Sequence, residues 1–176
     1  MAIIEGVGRI DLSDLNESHY KTMQPITGKT KMKYSDIKRI KSFCENLCSN
    51  PSWREVVRAI ENYESDFEID GVRFVEDDVI MDVLINELSN DKYILGCFNA
   101  WCIADATGWP IKLIEAAQKG GQFEEIGEAM TDEHIAKIAE IYAANDGYGH
   151  HFNRYDGNEE ELFINGQHYH AFDNRD

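Results

Sequence analysis

A chain of 176 residues, 43% of them hydrophobic, is long enough to bury one core without disulfide staples. Seventeen Lys and Arg face thirty-three Asp and Glu, a formal net charge of −16, and such a surface repels free nucleic acid. No run of about 18 apolar residues exists, which excludes a membrane-spanning helix. The opening MAIIEGVGRIDLSD lacks a basic stretch followed by an apolar one, so a cytoplasmic protein without a signal peptide is expected.

The charge is unevenly placed. Residues 1–42 hold eight Lys and Arg against five Asp and Glu; residues 43–176 hold nine against twenty-eight. A basic groove that normally receives nucleic acid would be attracted to the second part.

Residues 1–33 form a weakly patterned N-terminal segment, in which Ile3, Ile4, Val7 and Ile10 suit a short strand or docking segment. Gly28-Lys29-Thr30 is no phosphate loop, because that motif needs a Gly where Met23 stands. Residues 34–176 read as a single α+β domain, mainly helical, with about six helices and two β-hairpins at about 66–75 and 161–172. The hairpins can join in one small antiparallel sheet over a helical face.

Ser35 is the expected N-cap of a helix to about Ser49, with Ile37, Ile40, Cys44, Leu47 and Cys48 inward. Asn50 and Pro51 suit a cap and first position of the next helix, whose inner residues are Trp53, Val56, Val57, Ile60 and Tyr63. The four cysteines, Cys44, Cys48, Cys97 and Cys102, lack zinc-knuckle spacing and read as reduced core residues.

Asp66 to Val75 is a hairpin about a primed Asp70-Gly71 turn. That turn places Ile69 opposite Val72 and Phe67 opposite Phe74 on one face, with Glu68 and Arg73 paired on the other. A helix follows over 77–89, with Val79, Ile80, Val83, Leu84 and Leu88 inward and Glu76, Asp77 and Asp78 at its positive end.

The most apolar stretch is Tyr93 to Gly121. The spacing predicts one helix over 93–106, with Tyr93, Ile94, Leu95, Phe98, Trp101, Cys102 and Ile103 on its apolar face. Gly108 suits a left-handed cap and Pro110 the start of a second helix, in which Ile111, Leu113, Ile114 and Ala117 continue that face. Ile103-Ala104, Gly108 and Ile114 resemble the DNA-binding helix-turn-helix family. Its recognition helix needs donors for bases and cations for phosphates, whereas this one offers Ile111, Lys112, Glu115, Gln118 and Lys119. A core-forming helical hairpin is the expectation.

Phe123 to Met130 reads as a short acidic helix, and Thr131 caps another that runs to about Ala144. Asn165-Gly166 is a second primed turn. Its register sets Ile164 opposite Gln167, Phe163 opposite His168 and Glu161 opposite His170.

Two site readings follow. The first is an acidic partner-binding face formed by Glu124, Glu125, Glu128, Asp132 and Glu133 with Asp156, Glu159, Glu160 and Glu161. Like charges such as Glu124 and Glu128 repel on one helix face, and a cationic partner would relieve this. The alternative is a metal or substrate site at His150, His151, His168, His170 and Glu161, because His168 and His170 share a strand face and Glu161 can orient His170. No nucleophile elbow, dinucleotide fingerprint or known ligand motif is present. Hence no catalytic residue, cofactor or metal is assigned.

YILGCFNAWCIAD, IEAAQK and DGYGHHFNRYDGNEEEL together resemble small acidic proteins of bacteriophages and other mobile elements, over about residues 92–172. The resemblance implies a viral gene acting in a bacterial cytosol, and it carries no activity or catalytic residue. The expected function is that of an acidic binding protein that inhibits a host enzyme or defence complex, whether restriction, CRISPR or other nucleic-acid-handling machinery, by mimicking nucleic acid. Its expected partner is a basic host protein or nucleic-acid-binding complex, with no direct nucleic acid and no membrane. The alternative is a His/Asp/Glu hydrolase, metal-dependent or not, acting on a small nucleotide or signalling molecule.

Overall fold

Two tight turns set the architecture. Asp70 and Gly71 have φ of 52° and 79°, and Asn165 and Gly166 have 53° and 83°. Two consecutive positive φ values match the right-handed twist of the strands they join. The first turn joins β1 (Asp66–Ile69) to β2 (Val72–Glu76), and the second joins β3 (Glu160–Ile164) to β4 (Gln167–Asp173). In both hairpins the register is the one the turn residues dictate: Phe67 pairs with Phe74, Phe163 with His168, and Glu161 with His170. The computed structural model describes residues 32–153 and 156–174.

The hairpins join through β2 and β4 into one antiparallel sheet of order β1-β2-β4-β3. Alternation then sorts the side chains. One face buries Phe67, Val72, Phe74, Leu162, Ile164, Tyr169 and Ala171 with Ile40 and Cys44 of α1 (Tyr34–Asn46) and Val56, Ala59 and Ile60 of α2 (Trp53–Glu61). Phe67 stacks on Phe74 at 5.1 Å and meets Tyr169 edge-on at 5.9 Å. The other face sends Val75 and Phe172 into a second core with Ile80, Leu84 and Leu88 of α3 (Asp77–Asn90).

That second core is closed by α4 (Lys92–Cys97), α5 (Ala100–Thr107), α6 (Ile111–Lys119), α7 (Phe123–Glu128), α8 (Asp132–Asp146) and the single turn α9 (Gly149–Phe152). Thr131 caps α8 through the His134 N–H, and the His134 ring answers it at the Thr131 N–H. This reciprocal bonding satisfies two backbone donors that a helix start leaves orphaned. The mainly helical α+β expectation therefore holds, with nine helices among the described residues.

Several local expectations need correction. The predicted helix over 93–106 is two helices. Phe98 is extended, and the Asn99 side chain accepts from the Trp101 and Cys102 N–H groups, starting α5 afresh. Gln118 of α6 donates to the Gly96 and Phe98 carbonyls, which the break leaves without helical partners. Because of this break, Tyr93, Ile94 and Trp101 face outward at 56%, 44% and 58% exposure. Ile111, Leu113 and Tyr63 are likewise exposed, and so are Cys48 and Cys97. The first helix starts one residue before Ser35, and Trp53, not Pro51, opens the second. Arg73 pairs by register with Glu68, but its guanidinium binds Asp66 through two bonds, at 2.9 and 2.7 Å, and Glu87 of α3 at 2.7 Å. The expectations on Ile3 to Lys31 lie outside the described residues.

Candidate functional site

Strand alternation brings two imidazoles side by side. Tyr169 and Ala171 enter the first core, so His168 and His170 point to the opposite face of β4, where their ring centroids lie 4.5 Å apart. Phe163, the cross-strand partner of His168, stacks on it at 4.0 Å. Tyr148 meets His170 edge-on at 5.6 Å. These rings cover His170, whose side chain is only 5% exposed.

Carboxylates reach the imidazoles from three elements. Val75 pairs with His170 across β2 and β4. Two residues past Val75, Asp77 begins α3, and its Oδ1 lies 2.8 Å from His170 Nε2 and 3.6 Å from His168 Nδ1. Glu159, just before β3, bonds His170 Nδ1. Glu161 on β3 lies 3.8 Å from His168 Nε2, a buried nitrogen with no hydrogen-bond partner. His170 thus has a carboxylate at each ring nitrogen, and both bonds form together when both nitrogens carry protons. Burial, with Asp77 and Glu159 nearby, raises the Tyr148 hydroxyl above its usual pKa. Asp77, His168 and His170 place one ligand atom each within 4.8 Å of one another, and so do Glu159, Glu161 and His170.

The candidate residues read from the sequence separate here. His168 and His170 come together as expected. His151 goes elsewhere: its Nε2 lies 3.0 Å from Glu87, which also holds Arg73. His150 is exposed on α9. Glu161 faces His170 by register, but the group that orients the His170 ring is Glu159. Asp77 was read as a helix-end charge, and its role at His170 was missed. The signal was present in two parts, because β2 runs directly into α3 and the β2–β4 pairing brings His170 to that junction.

The acidic residues have different local settings. Asp156 closes a loop, accepting from the Asn158 N–H and from the Asn158 and Asn153 amides. These bonds, the Asn158 N–H foremost, lower its pKa. Glu159 and Glu161 face the imidazoles, and Glu160 is exposed. Glu124 and Glu125 lie in the first turn of α7, and Asp132 and Glu133 in the first turn of α8. There the helix ends offset part of their repulsion. These four and Glu128 are exposed. Among the described residues, no Lys or Arg forms an ion pair with any of the five.

One of the five, Glu125, lines an apolar groove of about 320 Å³ between α6 and α7, together with Trp109, Leu113, Ile114, Ala117 and Ile126 among others. Leu113 is 63% exposed at its wall. Trp109 meets His134 of α8 edge-on at 6.0 Å, which puts the first turn of α8 next to the groove. A second groove, of about 510 Å³, runs past Ile94, Phe98, Trp101 and Tyr142. Among the described residues, no helix is long and apolar enough to cross a membrane.

The chain matches no protein-family model, no characterised protein and no solved structure.

Proposed function

We propose that the protein is a binding protein without catalysis, whose working surface is the groove between α6 and α7 with the carboxylates around it. An apolar side chain of the partner enters beside Leu113 and Ile126. Flanking Lys and Arg residues of the same segment meet Glu124, Glu125, Glu128, Asp132 and Glu133. The observation that carries the reading is this coincidence: Glu125 lines an apolar groove, and among the described residues it and four more exposed carboxylates, on its own helix and on the first turn of the next, form no ion pair with Lys or Arg. An apolar anchor supplies binding energy and the charges supply on-rate and selectivity.

A partner of this chemistry carries basic and apolar residues together, as proteins that handle nucleic acid do. The resemblance to phage and mobile-element proteins directs the proposal to a host enzyme or defence complex, held by a surface that imitates the charge of nucleic acid. The setting of Asp156 and Glu159, both engaged within the fold, favours the α7–α8 group as the docking face. The hydrolase alternative has less support: His170 is buried beneath Tyr148, and Phe163 covers one face of His168.

The test is affinity capture from bacterial lysate, comparing the parent chain with the triple variant E124K/E125K/E128K, with Leu113→Ser, and with Glu64→Lys as a distant control. A basic nucleic-acid-handling protein is expected on the parent and the control, lost from the triple variant and from Leu113→Ser, and lost from all at about 0.5 M salt. The same proteins recovered on every variant would overturn the proposal.

A further inference from the structure

The geometry points to a divalent transition-metal site held by Asp77, His168 and His170, with Glu159 and Glu161 as the outer carboxylates that orient the two imidazoles. The inference is independent of the groove between α6 and α7.

The first support is ligand spacing. Zinc binds imidazole nitrogen and carboxylate oxygen at about 2.1 Å, which separates the ligands of a tetrahedral site by about 3.4 Å. Asp77 Oδ1 lies 2.8 Å from His170 Nε2 and 3.6 Å from His168 Nδ1. Both separations lie near that value, and the three ligand atoms lie within 4.8 Å of one another.

The second support is what the remaining nitrogens face. With His170 Nε2 on the metal, Nδ1–H donates to Glu159. With His168 Nδ1 on the metal, Nε2 carries the proton and Glu161 is the carboxylate nearby, 3.8 Å away. Each imidazole then has metal on one nitrogen and a carboxylate on the other, the usual arrangement of a ligating histidine. The metal also resolves two anomalies of the cluster. His168 Nε2 is buried without a hydrogen-bond partner, and with the metal on Nδ1 it carries the ring proton, which the exposed Glu161 would accept after a small movement from 3.8 Å. His170 has a carboxylate at each nitrogen, and a cation between Nε2 and Asp77 satisfies both groups without a second ring proton.

The third support is rigidity. His168 and His170 sit on a strand paired on both sides, and Asp77 is fixed by the β2–α3 junction. Phe163 stacked on His168 and Tyr148 against His170 hold the rings in orientation. Two imidazoles and one carboxylate select a first-row ion such as zinc over magnesium or calcium, which prefer all-oxygen sites. Three protein ligands leave a coordination position open to water or to a group on a partner.

Calorimetric titration of the EDTA-treated full chain with Zn²⁺ tests this, together with the visible spectrum of the Co²⁺ form. One Zn²⁺ per chain is expected, with d–d bands in the Co²⁺ spectrum and no thiolate charge-transfer band, which separates the site from the exposed Cys48 and Cys97. Asp77→Asn and His168→Ala are each expected to weaken Zn²⁺ binding by about 100-fold, and Glu159→Gln by about 10-fold. His150→Ala is expected to leave it unchanged. Asp77 is exposed and Asn matches its shape, so that variant removes the ligand's charge without opening a cavity. No stoichiometric binding, or unchanged affinity in Asp77→Asn and His168→Ala, would overturn the inference.

Discussion

Gly96 and Gly127 mark the two ends of one backbone-to-backbone crossing. A Cβ on Gly96 of α4 would lie 1.9 Å from the Phe123 carbonyl oxygen, and a Cβ on Gly127 of α7 would lie 2.0 Å from the Lys92 carbonyl oxygen. Two six-residue helices are too short to be stable alone, and close approach lets each support the other. The obstacles are main-chain atoms, so neither side can yield by a rotamer change. Gly96→Ala and Gly127→Ala should each cost about 3 kcal/mol or more in chemical denaturation. Because α7 forms one wall of the groove, both should also weaken partner capture. Gly120→Ala, where the nearest atom is 3.3 Å away at an exposed helix end, should cost less than about 1 kcal/mol.

Arg73 ties the sheet to α3. Its guanidinium bonds Asp66 twice, binds Glu87 at 2.7 Å and lies 4.9 Å over the Phe152 ring. A lysine has one point donor and no planar face to stack. Arg73→Lys should therefore cost about 1–2 kcal/mol by urea denaturation. Glu87→Gln should weaken the hold on both Arg73 and His151, and a double-mutant cycle with Arg73→Lys should give a coupling above about 0.5 kcal/mol.

The four cysteines divide into two pairs. Cys48 and Cys97 are exposed, while Cys44 and Cys102 are buried. Burial pushes the Cys44 thiol up to about 12 and also raises Cys102, and the thiolate is the reactive form. A thiol reagent at neutral pH should label two cysteines quickly and the other two only after unfolding. Rapid labelling of all four in the native chain would contradict the packing of α1 and α5.

Alkali should unfold the protein through the first core. Burial raises Tyr169 to about 12 and Cys44 to about 12. A group whose folded pKa is raised contributes full stability below its unfolded pKa, and that contribution fades as pH rises through the folded value. The urea midpoint should hold steady to about pH 9 and decline between about pH 9 and 12. Tyr169→Phe, which gives up a 3.3 Å bond to the Glu64 carbonyl, should shrink the part of the decline above pH 10.

How far the sequence could be read varies with the physics of each element. The hairpins were fully legible, because Asp-Gly and Asn-Gly are among the few pairs that tolerate two consecutive positive φ values, and a two-residue turn fixes the register of both strands. Gly108 was legible for the same reason; its φ of 74° is the left-handed cap expected at that residue. The break at Phe98–Asn99 was not, because apolar spacing runs smoothly through it while a single amide caps α5. Periodicity reports an averaged face and is blind to such local competition. His168 and His170 were paired correctly by strand alternation. Asp77 and Glu159 were not placed with them, because Asp77 stands 93 residues from His170 and meets it only through the β2–β4 pairing. The acidic residues of α7 and α8 were legible as charges, but Glu125 was not legible as part of a groove wall, which depends on how α6 and α7 pack.

The most direct test of the α6–α7 groove as the working surface is photo-crosslinking from position 113. A benzophenone side chain in place of Leu113 should yield one adduct in bacterial lysate at low salt, and peptide mapping should place its attachment in a segment rich in Lys and Arg. The adduct should vanish in the E124K/E125K/E128K background, while the same probe at the distant, exposed Tyr63 yields none. An adduct that persists in that background, or that forms equally from position 63, would contradict the account.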